Sequence, residues 1–156
     1  MQLVKRKPIV GVVGASSASL ALQKLALEVG KSIAQNGWIL VNGGLGGVME
    51  ASAQGASEAG GTVVGVVPGP FTKEANRYVT IPVATNMGHA RNVILAHTAD
   101  CLIAVGGEEG TLSEIALGLK LGKLVVGIET WEIPGVVPVK TPKEAIAKIQ
   151  THLTIL

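Results

Sequence analysis

The chain has 156 residues, enough for one domain with a real core, and its formal net charge of +2 argues against the broad basic face of a general nucleic-acid binder. Hydrophobic residues make up 47% of it but aromatic ones only 3%, so the core must be small and aliphatic, and the single Cys101 rules out an intrachain disulfide. No uninterrupted apolar run is long enough to cross a bilayer, and a cytoplasmic location is the expectation.

The basic cluster Lys5-Arg6-Lys7 reads as a solvated lead-in, and the apolar run after it is too short for a secretory leader. Pro8 to Gly14 reads as a first strand, and Gly14-Ala-Ser-Ser17 as a small-residue turn. A helix follows through Leu22, Leu25, Val29 and Ile33 and ends at Asn36-Gly37. Trp38 to Val41 is a second strand, and Asn42 to Gly47 a glycine turn into a helix that starts at Val48 and closes at Gly60-Gly61. Thr62 to Val67 is a third strand, ended by Pro68-Gly69-Pro70. The polar segment 71–78 reads as a loop, and Val79 to Val83 as a short strand. Asn86-Met-Gly88 leads into a helix carrying His89, Arg91 and Asn92, in which His97 is expected to pack. Cys101 to Val105 is a buried strand, after which Gly106 and Gly107 break the pattern and a helix begins at Thr111. Lys123 to Ile128 is another strand and Glu132 to Pro138 a proline-rich loop. Thr141-Pro-Lys-Glu144 opens the last helix, with proline at its first position inside a capping box.

Runs apolar on both faces, alternating with helices, predict an α/β fold: a single-domain, doubly wound, Rossmann-like parallel sheet with helices on both faces. Such sheets bind ligands beyond the carboxyl ends of their strands. The turns Gly14–Ser17, Asn42–Gly47 and Gly106–Thr111 all follow strands, so they share one rim. Backbone N–H groups there, with the hydroxyls of Ser16, Ser17 and Thr111, form an expected cradle for phosphate. No G-x-G-x-x-G and no G-K-[ST] is present, which argues against a dinucleotide site or an ATPase loop. Arg91 reads either as a surface ion pair or as a fork on a phosphate. Glu114 reads either as the cap of its own helix, through the Thr111-Leu-Ser-Glu114 pattern, or as a chemical group. His89 reads as a surface or capping residue. No cluster has metal-ligand spacing, so no metal is expected.

Together, Gly43-Gly44-Leu-Gly-Gly47-Val-Met49, Arg91 and Gly106-Gly107-Glu-Glu-Gly110-Thr111-Leu-Ser-Glu114 resemble the hallmarks of the Lonely Guy (LOG) family, once labelled "lysine decarboxylase". The resemblance runs from Ile9 to about Ile128 and is closest to a bacterial subgroup similar to the molybdenum cofactor carrier proteins. It implies a Rossmann-like fold and one of two functions. LOG enzymes cleave the N-glycosidic bond of nucleoside 5′-monophosphates; by that analogy Glu114 stabilises the sugar cation or activates water and Arg91 orients the nucleotide. The carrier proteins bind a phosphorylated pterin without breaking it. The rim turns and the resemblance together make Gly14, Ser16, Ser17, Gly43, Gly44, Gly47, Arg91, Gly107, Gly110 and Thr111 the expected phosphate-binding residues. This chain departs from the enzyme pattern at Gly106 (for Pro), Glu108 (for Gly) and Asn92 (for Lys). The resulting expectation is a protein that binds a nucleoside monophosphate or molybdopterin-like ligand and needs no resident cofactor. A phosphoribohydrolase is the alternative, and a nucleic-acid binder the third and weakest. Family members pair, so a homodimer or homotetramer is expected.

Overall fold

The computed structural model describes residues 5–155. Seven strands form one parallel sheet: β1 (Ile9–Val13), β2 (Ile39–Asn42), β3 (Val63–Val67), β4 (Ile81–Ala84), β5 (Cys101–Val105), β6 (Leu124–Ile128) and β7 (Val136–Val139). Their order across the sheet is β4-β3-β2-β1-β5-β6-β7, with every neighbouring pair parallel. The chain therefore winds outward from β1 to β4, returns to pair β5 with β1, and winds outward again. The reversal falls between β1 and β5, where a crevice opens above the strand ends.

Five helices cover the sheet: α1 (Leu20–Gln35), α2 (Val48–Glu58), α3 (Arg91–Thr98), α4 (Glu109–Lys120) and α5 (Pro142–Ile155). One core joins α1, α2 and α5 to one face of the strands through Val29, Ile33, Ala53 and Ile149 against Val10, Val12 and Ile103. The second joins α3 and α4 to the other face through Leu95 and Ile115 against Val13, Leu102 and Val125. Val12 and Val13 thus point to opposite cores, as the two-residue period of a strand buried on both faces requires.

Four expectations from sequence need correction. The stretch 132–138 is not all loop: Val136–Val139 forms edge strand β7, pairing with β6. Proline is tolerated there because an edge strand bonds on one side only. His97 does not pack; α3 buries Arg91, Asn92, Leu95 and Ala96 and turns Val93 and His97 outward. The segment 71–78 contains a 3₁₀ turn at Thr72–Glu74. Finally, Arg6 is not merely solvated: its guanidinium meets both oxygens of Asp100, at 2.8 and 3.1 Å. No helix among the described residues is long and apolar enough to cross a membrane.

Candidate functional site

The carboxyl ends of β1, β2 and β5 deliver the three small-residue turns to one rim. They border a cavity of about 400 Å³, within the usual range for a small-molecule site. Gly14, Ser16, Arg91, Gly110, Thr111 and Glu114 line it, so residues from across the chain are brought together. Ser17 is exposed and lies off this wall, and Gly43, Gly44, Gly47 and Gly107 shape the turns behind it. Leu45, Met49 and Pro68 supply an apolar wall, and His89, Asn92 and Glu108 complete the lining. Glu108 is exposed and does not plug the hollow.

Arg91 is the first residue of α3, yet it is only 8% exposed. That excludes the surface ion pair as its role. Its burial depends on Gly43, where an added Cβ would come within 2.5 Å of the Arg91 Nη1 and 2.6 Å of the Met49 sulfur. Gly47, at φ +62°, turns the chain into α2 in a conformation that other residues rarely adopt. Arg91 Nη1 donates to Asn92 Oδ1 at 2.6 Å and stands 3.6 Å from Glu114 Oε1. The latter is an ion-pair distance rather than a hydrogen bond. Arg91 Nε has no hydrogen-bond partner among the described residues.

Thr111 and Glu114 do not form the expected capping box. Helix α4 starts at Glu109, with Glu108 in the cap position and no side-chain cap. Thr111 therefore falls inside the first turn, and its i,i+3 relation to Glu114 puts both side chains on the buried face. The Thr111 hydroxyl, on a residue 2% exposed, has no partner. Burial pushes the Glu114 carboxyl up to about 7 against the opposing pull of Arg91, while burial lowers Arg91 from its ordinary value. A buried arginine nitrogen and a buried hydroxyl without partners are costly unless something else meets them.

The starts of α2 and α3 also lack side-chain caps. By contrast, Ser19 caps α1 by accepting the Leu22 N–H at 3.2 Å, and Thr141 accepts the Glu144 N–H at the start of α5 at 3.2 Å. The three helices that bring Met49, Arg91 and Thr111 to the cavity are thus the ones without a side-chain cap, although the Val48 N–H bonds to the Ala15 carbonyl at 3.0 Å and the Arg91 N–H to carbonyls of the 3₁₀ turn Gly88–Ala90 that runs into α3. Sequence reasoning missed Asn42, which accepts the Gly44 N–H and donates to the Met49 carbonyl and the Ser52 hydroxyl, all buried. An Asn directly before a glycine pair was the available signal. No group of three or more His, Cys, Asp or Glu among the described residues is placed to hold a metal ion.

Residues 7–154 match the model of the SLOG cluster4 family. The chain belongs to that family. A protein of Archaeoglobus fulgidus is 48% identical over 138 residues, 88% of this chain and 91% of its own length. The cytokinin riboside 5′-monophosphate phosphoribohydrolase of Rhodococcoides fascians is 37% identical over 95 residues, 58% of this chain and 48% of the enzyme. The match therefore spans about half of that enzyme. Among solved structures, the molybdenum cofactor binding protein of Rippkaea orientalis superposes with a TM-score of 0.90 at 35% identity, covering 95% of this chain and 98% of that one. The molybdenum cofactor carrier protein of Chlamydomonas reinhardtii gives 0.89 at 40% identity, covering 96% and 99%. This SLOG cluster4 protein thus superposes over nearly its whole length on the two molybdenum cofactor proteins, whereas its sequence match to the hydrolase covers 58% of the chain.

Proposed function

We propose that the protein binds a phosphate-bearing nucleotide or pterin-like small molecule in the rim cavity. The observation that carries this reading is the pair of buried, unpartnered groups, Arg91 Nε and Thr111 Oγ1, on a cavity bordered by uncapped helix starts. A tetrahedral anion seated between Arg91 and Thr111 would offer acceptors to both and meet the helix dipoles favourably. The apolar wall of Leu45, Met49 and Pro68 offers a surface to a planar heterocycle. The two solved relatives named for the molybdenum cofactor support the pterin-like end of this class. A thermal-shift panel of nucleoside monophosphates and phosphorylated pterins tests it. A bound member raises the melting temperature as its concentration passes its Kd, and no shift from any member at millimolar concentration would falsify the reading.

A second reading, nucleoside 5′-monophosphate phosphoribohydrolase, is favoured by Glu114. A carboxyl held near neutrality beside a cation is suited to proton transfer or to stabilising a sugar cation. Incubation with AMP, followed by detection of free adenine, separates the two. Release abolished by Glu114→Gln favours the hydrolase, and binding without release favours the carrier. The cavity admits a small ligand rather than a strand, and stacking platforms are few, so a nucleic-acid role has little support. Edge strand β4 exposes Ile81 and Val83, which supports a homo-oligomer; a light-scattering mass of at least a dimer is expected.

A further inference from the structure

Two loops outside the cavity bond to the carbonyls of its turns. Asn76, from the 71–78 loop, reaches the second glycine turn. Its backbone N–H donates to the Gly44 carbonyl at 2.8 Å, and its Nδ2 donates to the Leu45 carbonyl at 2.9 Å. Its Oδ1 accepts the Tyr78 N–H at 3.0 Å, which fixes the side chain's own orientation. On the other flank, Thr130 Oγ1 donates to the Gly106 carbonyl at 2.5 Å and Trp131 Nε1 to the Glu108 carbonyl at 3.1 Å. None of these three residues lines the rim cavity.

In a trans peptide, the C=O of one residue and the N–H of the next point in opposite directions, and the chain contains no cis bond among the described residues. Holding the Gly44 and Leu45 carbonyls toward Asn76 therefore turns the N–H groups of Leu45 and Gly46 away from it. Holding the Gly106 carbonyl toward Thr130 does the same for Gly107, and the Glu108 carbonyl, which accepts both Trp131 Nε1 and the Leu112 N–H of α4 at 3.0 Å, turns the Glu109 N–H away from both. None of these four amides has a backbone acceptor among the described residues.

We infer that Asn76 and Trp131 are positioning residues, which clamp the glycine turns from outside so that the rim amides are pre-oriented for an anion. The inference rests on the reading of the cavity as an anionic-ligand site and deepens it. It also gives the 71–78 loop a role: that loop is the brace of the second turn. Pre-orientation raises affinity because the turn pays no ordering cost when the ligand arrives.

The test has two arms, run on the full chain. In the ligand-free protein, ¹⁵N relaxation reads the order of the Leu45 and Gly46 amides. The wild type is expected to be rigid, with order parameters near about 0.85, and Asn76→Ala to fall below about 0.6. In the second arm, AMP is titrated into the wild type, Asn76→Ala and Trp131→Phe at pH 6 and pH 8. Each variant is expected to bind about tenfold more weakly, by the same factor at both pH values, because backbone amides do not titrate there. Trp131→Phe keeps the ring and removes only the donor. Unchanged order in Asn76→Ala overturns the inference whether or not AMP binds. So does a wild type that binds AMP beside variants that bind it equally well. If the wild type ignores AMP while order still falls in Asn76→Ala, the brace stands and the choice of ligand fails.

Discussion

Two arginine–carboxylate pairs sit at opposite ends of the sheet, and they are built differently. At the amino ends of β1 and β5, Arg6 grips both oxygens of Asp100, and the same carboxylate accepts the Ile9 N–H at 2.8 Å. Burial alone would raise the Asp100 carboxyl, but the bonds from Arg6 and Ile9 overcome it and leave it below its ordinary value. At the carboxyl ends, Arg91 and Glu114 stand 3.6 Å apart in a nearly buried setting, with donors left over. There burial prevails, and Glu114 rises to about 7. The first pair is saturated and ties two strands together; the second is unsaturated and opens onto a cavity. The same residue types serve architecture where their bonding is complete and form a candidate site where it is not.

That contrast can be broken most sharply at Arg91. Arg91→Ala should weaken AMP binding about a thousandfold, the loss of two charge-assisted hydrogen bonds, whereas Asp100→Asn should leave affinity unchanged; calorimetric titration checks both. The pairs should also respond oppositely to pH. Glu114 has a folded-state value above its ordinary 4.5. Its proton is therefore retained on folding, and the stability it contributes is full below about pH 4.5 and lost as pH rises through about 7. Asp100 is shifted downward, so its contribution is present at neutral pH and is lost on acidification below its ordinary 3.8. Glu114→Gln should remove the first slope. Its stability relative to wild type, from urea unfolding, should improve by up to about 3 kcal/mol between pH 5 and pH 8. Thr111→Val should weaken AMP binding about tenfold while leaving the melting temperature unchanged or slightly raised, because the hydroxyl has no partner to lose. The smallest effect belongs to Arg6→Ala. Its exposed guanidinium should contribute under about 1 kcal/mol, and less in high salt.

The sheet and its rim were legible because β1, β2, β3 and β5 are short apolar runs that give way to glycine or proline turns, the pattern expected of strands buried on both faces. β7 was hidden by Pro134 and Pro138, since a proline reads as a strand breaker until the strand is known to lie at an edge. The pattern Thr-x-x-Glu occurs twice, and spacing alone offers a capping box at both places. At Thr141–Glu144 it caps α5, whereas at Thr111–Glu114 it faces the cavity, because α4 begins two residues earlier. Local spacing could not separate these cases; the position of the helix start, set by the turn after β5, decided between them. The outward position of His97, against its expected packing, has a related cause. Helix α3 is only eight residues long and buries one narrow side, so the register of its buried stripe is set by Arg91 and Asn92, polar residues that hydrophobic periodicity does not count.

The account turns on an anion being held between the first turn of α4 and the buried arginine. A crystal structure of the protein soaked with AMP tests this most directly. Phosphate oxygens should lie about 3 Å from Thr111 Oγ1 and Arg91 Nε, with the base against Leu45 and Met49. A nucleotide bound elsewhere, such as in the hollow beside Trp131, with the Arg91–Thr111 corner left holding only water, would contradict it.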